Sequence, residues 1–204
     1  MNVSHVSSAR GWHSRGYMPH FDSHNVVQHV TYRLADSLPH ELRRQLEDEL
    51  RTIPAELQDR ERRRRIEDWM DAGFGSCFLR DPVAARLVQD SLRRFDGERY
   101  RLLAWVVMPN HVHVLFQTRG GWTMSRIVSS WKSFTGRRLA QAASRSDVEQ
   151  RIWHREYWDR YVRDEAHLSA VRDYIHENPV KARLVSRSVE WEWSSARLEP
   201  GGPR

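Results

Sequence analysis

Two histidines, His111 and His113, stand one residue apart in the stretch Met108-Pro109-Asn110-His111-Val112-His113. The apolar run Tyr100 to Val107 precedes it and Val114-Leu115-Phe116 follows, so the stretch reads as the turn and second strand of a β-hairpin. Side chains alternate across a strand, so both imidazoles project from one face, with Val112, Val114 and Phe116 on the other. Neutral imidazoles one strand repeat apart can share a divalent metal. Two ligands leave its shell incomplete. Near the C-terminus, Tyr174 and Asn178 are four apart and share one helix face. A tyrosine hydroxyl can act as a nucleophile and form a covalent intermediate. An Asn carbonyl oxygen suits a hard cation such as Mg²⁺. Taken singly, a half-buried tyrosine and an Asn ending a helix before proline are ordinary features.

The elements that must position these residues follow from the pattern around them. Residues 1–22 are rich in Ser, His, Gly and Arg without a clear period and are expected to form a mobile arm. The β-branched run from Asn25 to Leu34 predicts a first strand. Leu38, Leu42, Leu46 and Leu50 recur every four residues, as on an amphipathic helix, and Pro54 separates it from a second helix, Glu56 to Met70. Residues 38–72 therefore form a helical insertion. Its run Arg62-Arg63-Arg64-Arg65 reads as a solvated face neutralised by Glu47, Asp48, Glu49, Glu61 and Glu67. Asp81-Pro82 predicts an N-cap and first turn of a helix that ends at Asp96-Gly97. After the hairpin, Thr123 or Ser125 opens another helix carrying Ile127, Val128, Trp131, Phe134 and Leu139, with a loop at 144–147. The aromatic stretch Ile152 to Val162 reads as extended. A last helix, Glu165 to Glu177, is expected to stop at Asn178-Pro179. The order predicts an α+β fold, one antiparallel sheet with helices on one face. A single domain spans 23–198, and 199–204 form a frayed tail.

Basic residues number 33 against 27 acidic ones, a formal charge of +6. That balance favours a polyanionic partner without saying anything about fold. Only Lys132 and Lys181 are lysines; the planar guanidinium suits phosphate oxygens, although a GC-rich genome would give the same arginine bias. Cys77 is the single cysteine, which excludes an intrachain disulfide and a thiolate zinc cluster. No apolar run approaches the ~18–20 residues of a membrane span, and no secretory signal is visible, so a cytoplasmic location is expected.

Taken together, Ala104-Trp105-Val106-Val107-Met108-Pro109-Asn110-His111-Val112-His113 and Tyr174-Ile175-His176-Glu177-Asn178-Pro179-Val180 resemble the REP-associated tyrosine transposases, single-tyrosine members of the HUH endonuclease superfamily. Ser130-Trp131-Lys132-Ser133-Phe134-Thr135 and Trp153-His154-Arg155-Glu156-Tyr157-Trp158-Asp159-Arg160 fit the same pattern. The likeness covers residues 25–35 and 80–195; the helical insertion and the His-rich arm depart from a minimal family core. The resemblance implies a ferredoxin-like sheet, His111 and His113 as metal-binding histidines, Tyr174 as nucleophile and Asn178 as a third ligand. It also implies single-stranded DNA cleavage at or near palindromes that fold as hairpins.

On that resemblance, Mg²⁺ or Mn²⁺ is the expected cofactor and a 5′-phosphotyrosine link with a free 3′-hydroxyl is the expected intermediate. Lys132, Arg137 and Arg138, beside Trp131, form one candidate DNA patch; Arg155, Arg160 and Arg163, with Trp153, form another. Trp131 itself shares the helix's core spacing. Charge reversal at Arg137 and Arg138 should weaken DNA binding and flatten its salt dependence. Two rivals remain open: a non-cleaving regulator that binds hairpin DNA or RNA, and a zinc hydrolase pairing the histidines with Asp173 or Glu177. The oligomeric state, monomer or homodimer, is left open.

Overall fold

A computed structural model of the chain describes residues 11–14, 19–22, 26–142 and 151–198. The expected loop at 144–147 and the tail 199–204 lie outside them. Gly11–Ser14 (β1) and Pro19–Asp22 (β2) pair antiparallel within the segment expected to be an arm. The main sheet holds β3 (Val27–Arg33), β4 (Tyr100–Val107), β5 (His111–Thr118) and β6 (Trp158–Tyr161) in the order β4-β5-β3-β6, all antiparallel.

The helices are α1 (His40–Leu50), α2 (Ala55–Asp71), α3 (Pro82–Arg93), α4 (Met124–Ala142) and α5 (Glu165–Lys181). Omitting the insertion, β3-α3-β4-β5-α4-β6 is a β-α-β-β-α-β chain with α5 added. The Asp81 carboxylate accepts from Val83 N and Ala84 N with Pro82 in the first turn, so the predicted start of α3 is the observed one. Val88, Leu92, Ile127, Val128 and Trp131 from α3 and α4 pack on Val30, Tyr32, Val112, Val114 and Phe116. Trp131 is buried, and its indole N–H donates to Tyr100 Oη. Each fully buried large apolar side chain contributes roughly 1.5–3 kcal/mol, so this layer dominates stability.

Two expectations need correction. The sequence placed the helices on one face of the sheet, yet α5 packs Val171 and Ile175 on Ala104, Val106 and Leu115, the opposite face. The even positions of β5 fill one core, and its odd positions need their own cover. Nor does α5 stop at Asn178-Pro179: it runs through Pro179 to Lys181. In a last turn the proline sacrifices few intrahelical bonds. Ala182 N to Asn178 O and Leu184 N to Pro179 O then close the end, with Arg183 in the left-handed region. The extra turn is what buries Asn178 and brings Lys181 onto the face of Tyr174.

The insertion is a pair of packed helices with its own small core, Leu38, Leu46, Leu50, Ile66 and Met70. Arg62 pairs with Glu47, Arg64 with Glu61 and Asp68, and Arg65 with Glu49 and Glu61, so most of the arginine run is neutralised within the pair. The turn after α2 is tight at Gly75, whose φ is +86° and where a Cβ would lie 2.5 Å from Asp36 O. Gly75→Ala is therefore expected to lower stability by at least about 1–3 kcal/mol, because both backbone strain and an immovable carbonyl oppose it. An unchanged denaturant midpoint would contradict the tightness of this turn.

Candidate active site

β5 places His111 and His113 on the face covered by α5, both fully buried, and its even positions in the opposite core as expected. Across the strand register, Thr31 of β3 faces His113, Arg33 faces His111, and His29 faces Leu115. The polar face of β3 thus lies beside the histidine pair.

The protonation pattern of the pair follows from their partners. His111 Nδ1 lies 2.7 Å from Asn110 Oδ1. The amide nitrogen of Asn110 is committed elsewhere, donating to Met70 O at 3.1 Å and Phe74 O at 2.9 Å. The amide oxygen must therefore face the ring, His111 donates from Nδ1, and Nε2 keeps the lone pair. That Nε2 is buried without a hydrogen-bond partner among the described residues. His113 Nδ1 lies 2.8 Å from Thr31 Oγ1 and 3.2 Å from His29 Nε2, while its Nε2 is 3.4 Å from Asn178 Nδ2. Donation from Nδ1 to Thr31 leaves Nε2 of this ring as acceptor too.

α5 supplies the other wall. Asn178 is fully buried, and its Oδ1 and the Tyr174 hydroxyl are also buried without partners. The Tyr174 ring centre is 5.3 Å from that of His113 and 6.0 Å from that of His29; the histidine pair are 4.8 Å apart. Lys181 Nζ lies 5.9 Å from the Tyr174 ring centre and 2.7 Å from Asp71 Oδ2 of α2.

Burial sets the electrostatics. It pulls His111 down to about 3, with Asn178 opposing and the Lys181 charge adding to the fall. It holds His113 well below its usual value, helped by His111, His29 and Lys181. Burial, then Arg160 and His167, brings His29 to about 4. These rings are neutral at physiological pH, as metal ligation requires. Tyr174 moves the other way: burial, then Glu67 and Asp71 of α2, raise its pKa, with Asn178 as a weaker counterweight. The phenol holds its proton in this state.

A cleft of about 670 Å³ opens onto Tyr174, between β3, β6 and α2, with His29, Trp158, Arg160, Arg63 and Glu67 in its walls. Among the described residues no cluster of three His, Cys, Asp or Glu side chains could hold a metal. The unpartnered acceptors, His111 Nε2 and Asn178 Oδ1, with His113 Nε2 beside them, nonetheless fit a hard or borderline divalent cation. Among the described residues, Asn178 is the candidate for a third ligand beside the two histidines.

The structure thus brings His111, His113, Tyr174 and Asn178 together. Asp173 and Glu177, the carboxylates of the hydrolase alternative, are exposed. Of the basic candidates, only Arg160 lines the cleft. Lys132, Arg137 and Arg138 lie on α4, in the layer behind the sheet, where Lys132 Nζ donates to Arg155 O. Arg163 follows β6 and is exposed, and Trp153 is a core residue bonded to Thr135. Sequence reasoning missed His29, Thr31 and Lys181. The alternation His29, Thr31, Arg33 against Val30 and Tyr32 could have flagged the first two, and the i, i+4, i+7 series Tyr174, Asn178, Lys181 the third.

Asn110 is a positioning residue for His111. Asn110→Asp keeps the size but loses both donated hydrogen bonds, leaving two carbonyls facing a carboxylate. It is expected to weaken Mn²⁺ binding by about 10–100-fold, the range for lost supporting contacts in metal sites. Calorimetric titration checks this, and undiminished affinity would refute it.

Residues 78–178, about half of the chain, match the IS200-like transposase family. A provisionally named REP-associated tyrosine transposase of Haemophilus influenzae is 28% identical over 103 residues, 47% of this chain and 58% of that protein. The REP-associated tyrosine transposase of Escherichia coli K12 is 26% identical over 96 residues, 47% of this chain and 54% of that protein. The chain thus matches a little over half the length of each. A solved REP-associated tyrosine transposase bound to a REP hairpin superposes with a TM-score of 0.58 at 16% identity, covering 94% of this chain and 89% of that one, which supports the fold. Residues 78–178 thus belong to the IS200-like transposase family, and the relatives that the chain resembles are REP-associated tyrosine transposases.

Proposed function

We propose that the chain nicks and rejoins single-stranded DNA at hairpin-forming palindromes, through a covalent link to Tyr174 that depends on a divalent cation. The observation that carries this reading is the cluster of buried, unpartnered polar atoms: His111 Nε2, Asn178 Oδ1 and the Tyr174 hydroxyl. Leaving such atoms unpaired costs roughly 1–3 kcal/mol each, which is tolerable where a ligand repays it.

His111, His113 and Asn178 would hold Mg²⁺ or Mn²⁺, and a cation bound there supplies Lewis-acid polarisation of the scissile phosphate. Tyr174 Oη attacks phosphorus, the bond to the 3′-oxygen breaks, and the products are a 5′-phosphotyrosine and a 3′-hydroxyl. The phenolic proton passes to solvent as the new bond forms, and the departing 3′-oxygen takes one up from solvent, so the step is proton-neutral. Asn110 and Thr31 hold the imidazoles in the tautomer that leaves Nε2 free, and α5 fixes Tyr174 beside them. The link conserves the phosphodiester energy, so a second 3′-hydroxyl can reverse the reaction. The REP-hairpin ligand of the solved relative favours hairpin DNA as partner here.

The test incubates labelled hairpin oligonucleotides from palindromes flanking the gene with protein and Mn²⁺ or Mg²⁺. A metal-dependent protein–DNA band on a denaturing gel is expected. Tight hairpin binding without that band would replace the enzyme with a non-cleaving regulator.

A further inference from the structure

Arg33 ends β3 on the same sheet face as the histidines, yet it is only 4% exposed and has no ion pair among the described residues. Its contacts are a hydrogen bond from Nη1 to Ser37 Oγ at 3.0 Å and the Trp158 ring, 5.9 Å from its guanidinium carbon. A buried, uncompensated charge is costly, and a guanidinium offers five N–H donors of which one is used here. Arg33 borders a pocket of about 550 Å³ between the sheet and the insertion, together with Arg43, Arg63, His154 and Trp158.

Carboxylates are present but do not neutralise it. Glu47 is held by Arg62 and Glu156 lies against Arg155, and neither these nor Asp59 pairs with Arg33. Burial and the like charge of Arg43 lower Arg33 only to about 10, so it stays charged at neutral pH. Asp59, Arg63 and Trp158 line both this pocket and the Tyr174 cleft, so the two are neighbours along one wall. Arg43 and Arg63 come from the insertion, Arg33 ends the core strand β3, and His154 and Trp158 lie within the family match at residues 78–178, so the pocket is built where the insertion meets the core.

We propose that this pocket is a second phosphate-binding site, which takes a phosphodiester of the single strand continuing from the Tyr174 cleft. The proposal rests on the nucleic-acid reading above and adds the strand's path: past Trp158, between the sheet and α2. It gives the insertion a task, since α1 supplies Arg43 and α2 supplies Arg63.

The test is fluorescence anisotropy of the full chain with a short labelled oligothymidylate, without divalent metal. Arg33→Met is expected to bind about tenfold more weakly and with a salt slope about one unit shallower than the unsubstituted protein. Replacing an unpaired buried charge by an apolar side chain of similar length should leave the melting temperature equal or higher. Should Arg33→Met fail to fold, Arg63→Gln at the pocket rim provides the same comparison. Equal affinity in a folded variant overturns the proposal. So does an unsubstituted protein that inorganic phosphate stabilises in an Arg33-dependent manner but that does not bind the oligothymidylate, because the pocket would then hold a free anion rather than a strand. The assay involves no metal and no cleavage, so failure of the Tyr174 reaction would leave its result intact.

Discussion

Tyr174→Phe is expected to abolish the covalent protein–DNA band completely while leaving the fold and hairpin binding in place. The substitution is unusually clean here. The phenolic oxygen is buried with no well-formed hydrogen bond, so its removal disturbs at most a weak contact with Asn178. The ring contacts with His113 and His29 survive in phenylalanine. Stability should change by no more than about 0.5 kcal/mol, or rise slightly as an unsatisfied buried group is removed. Loss of the band therefore reports chemistry rather than unfolding. Burial and the α2 carboxylates keep the phenol protonated in the unloaded protein. In the proposed reaction, positive charge such as a bound cation would supply favours loss of that proton. A Tyr174→Phe protein that still formed adducts would remove the residue from the mechanism and return the search to other nucleophiles.

How much of this was legible in the sequence depends on the range of the interaction concerned. The histidine pair, the hairpin and the Asp81 cap were readable because each is set within a few residues by strand alternation or turn chemistry. Tyr174 and Asn178 were readable as one helix face, and the motif resemblance joined them to the histidines. What stayed hidden was non-local. Which face α5 covers is decided by where Val171 and Ile175 find apolar partners, and no local pattern in α5 states that. The end of α5 lies beyond Asn178-Pro179 because Ala182 N and Leu184 N, past the proline, close the last turn onto Asn178 O and Pro179 O, bonds that need no N–H from Pro179. Arg155, Arg160 and Arg163 look like one patch in the chain. Strand β6 and its flanks separate them, sending Arg160 to the cleft and Arg155 toward Lys132. The link from Asn110 to Met70 O and Phe74 O joins residues some 40 positions apart, so the insertion's support of His111 is invisible before folding.

Acid should unfold this protein early, and the buried histidines are the reason. Folding holds His29 and His154 at about 4 and His111 at about 3, and His113 well below the ordinary value of 6.5. In the unfolded chain all four would protonate near 6.5, so between that value and the folded ones the unfolded state binds more protons and stability rises with pH. Above pH 6.5 the effect is absent. As the pH falls below it, each ring withdraws stability until the folded value is reached. By pH 5 the loss is on the order of 2 kcal/mol for each of the fully buried rings His111 and His113, and smaller for the partly exposed His29 and His154, which solvent screens; against the 5–15 kcal/mol that typically holds a domain together the sum is large. Denaturant midpoints measured from pH 8 to pH 4.5 should be flat above about 6.5 and then fall steeply. His154 offers an internal control, since it sits by Arg33 rather than at Tyr174, where burial and the charges of Arg33, Lys132 and Arg43 hold it neutral. His154→Gln should recover a minor part of the loss at pH 5 and leave most of the slope, which belongs to the three rings at the candidate site. A stability profile flat from pH 7 to pH 5 would mean that those rings protonate freely in the folded state, and the neutral imidazole cluster that the proposed metal binding requires would not exist.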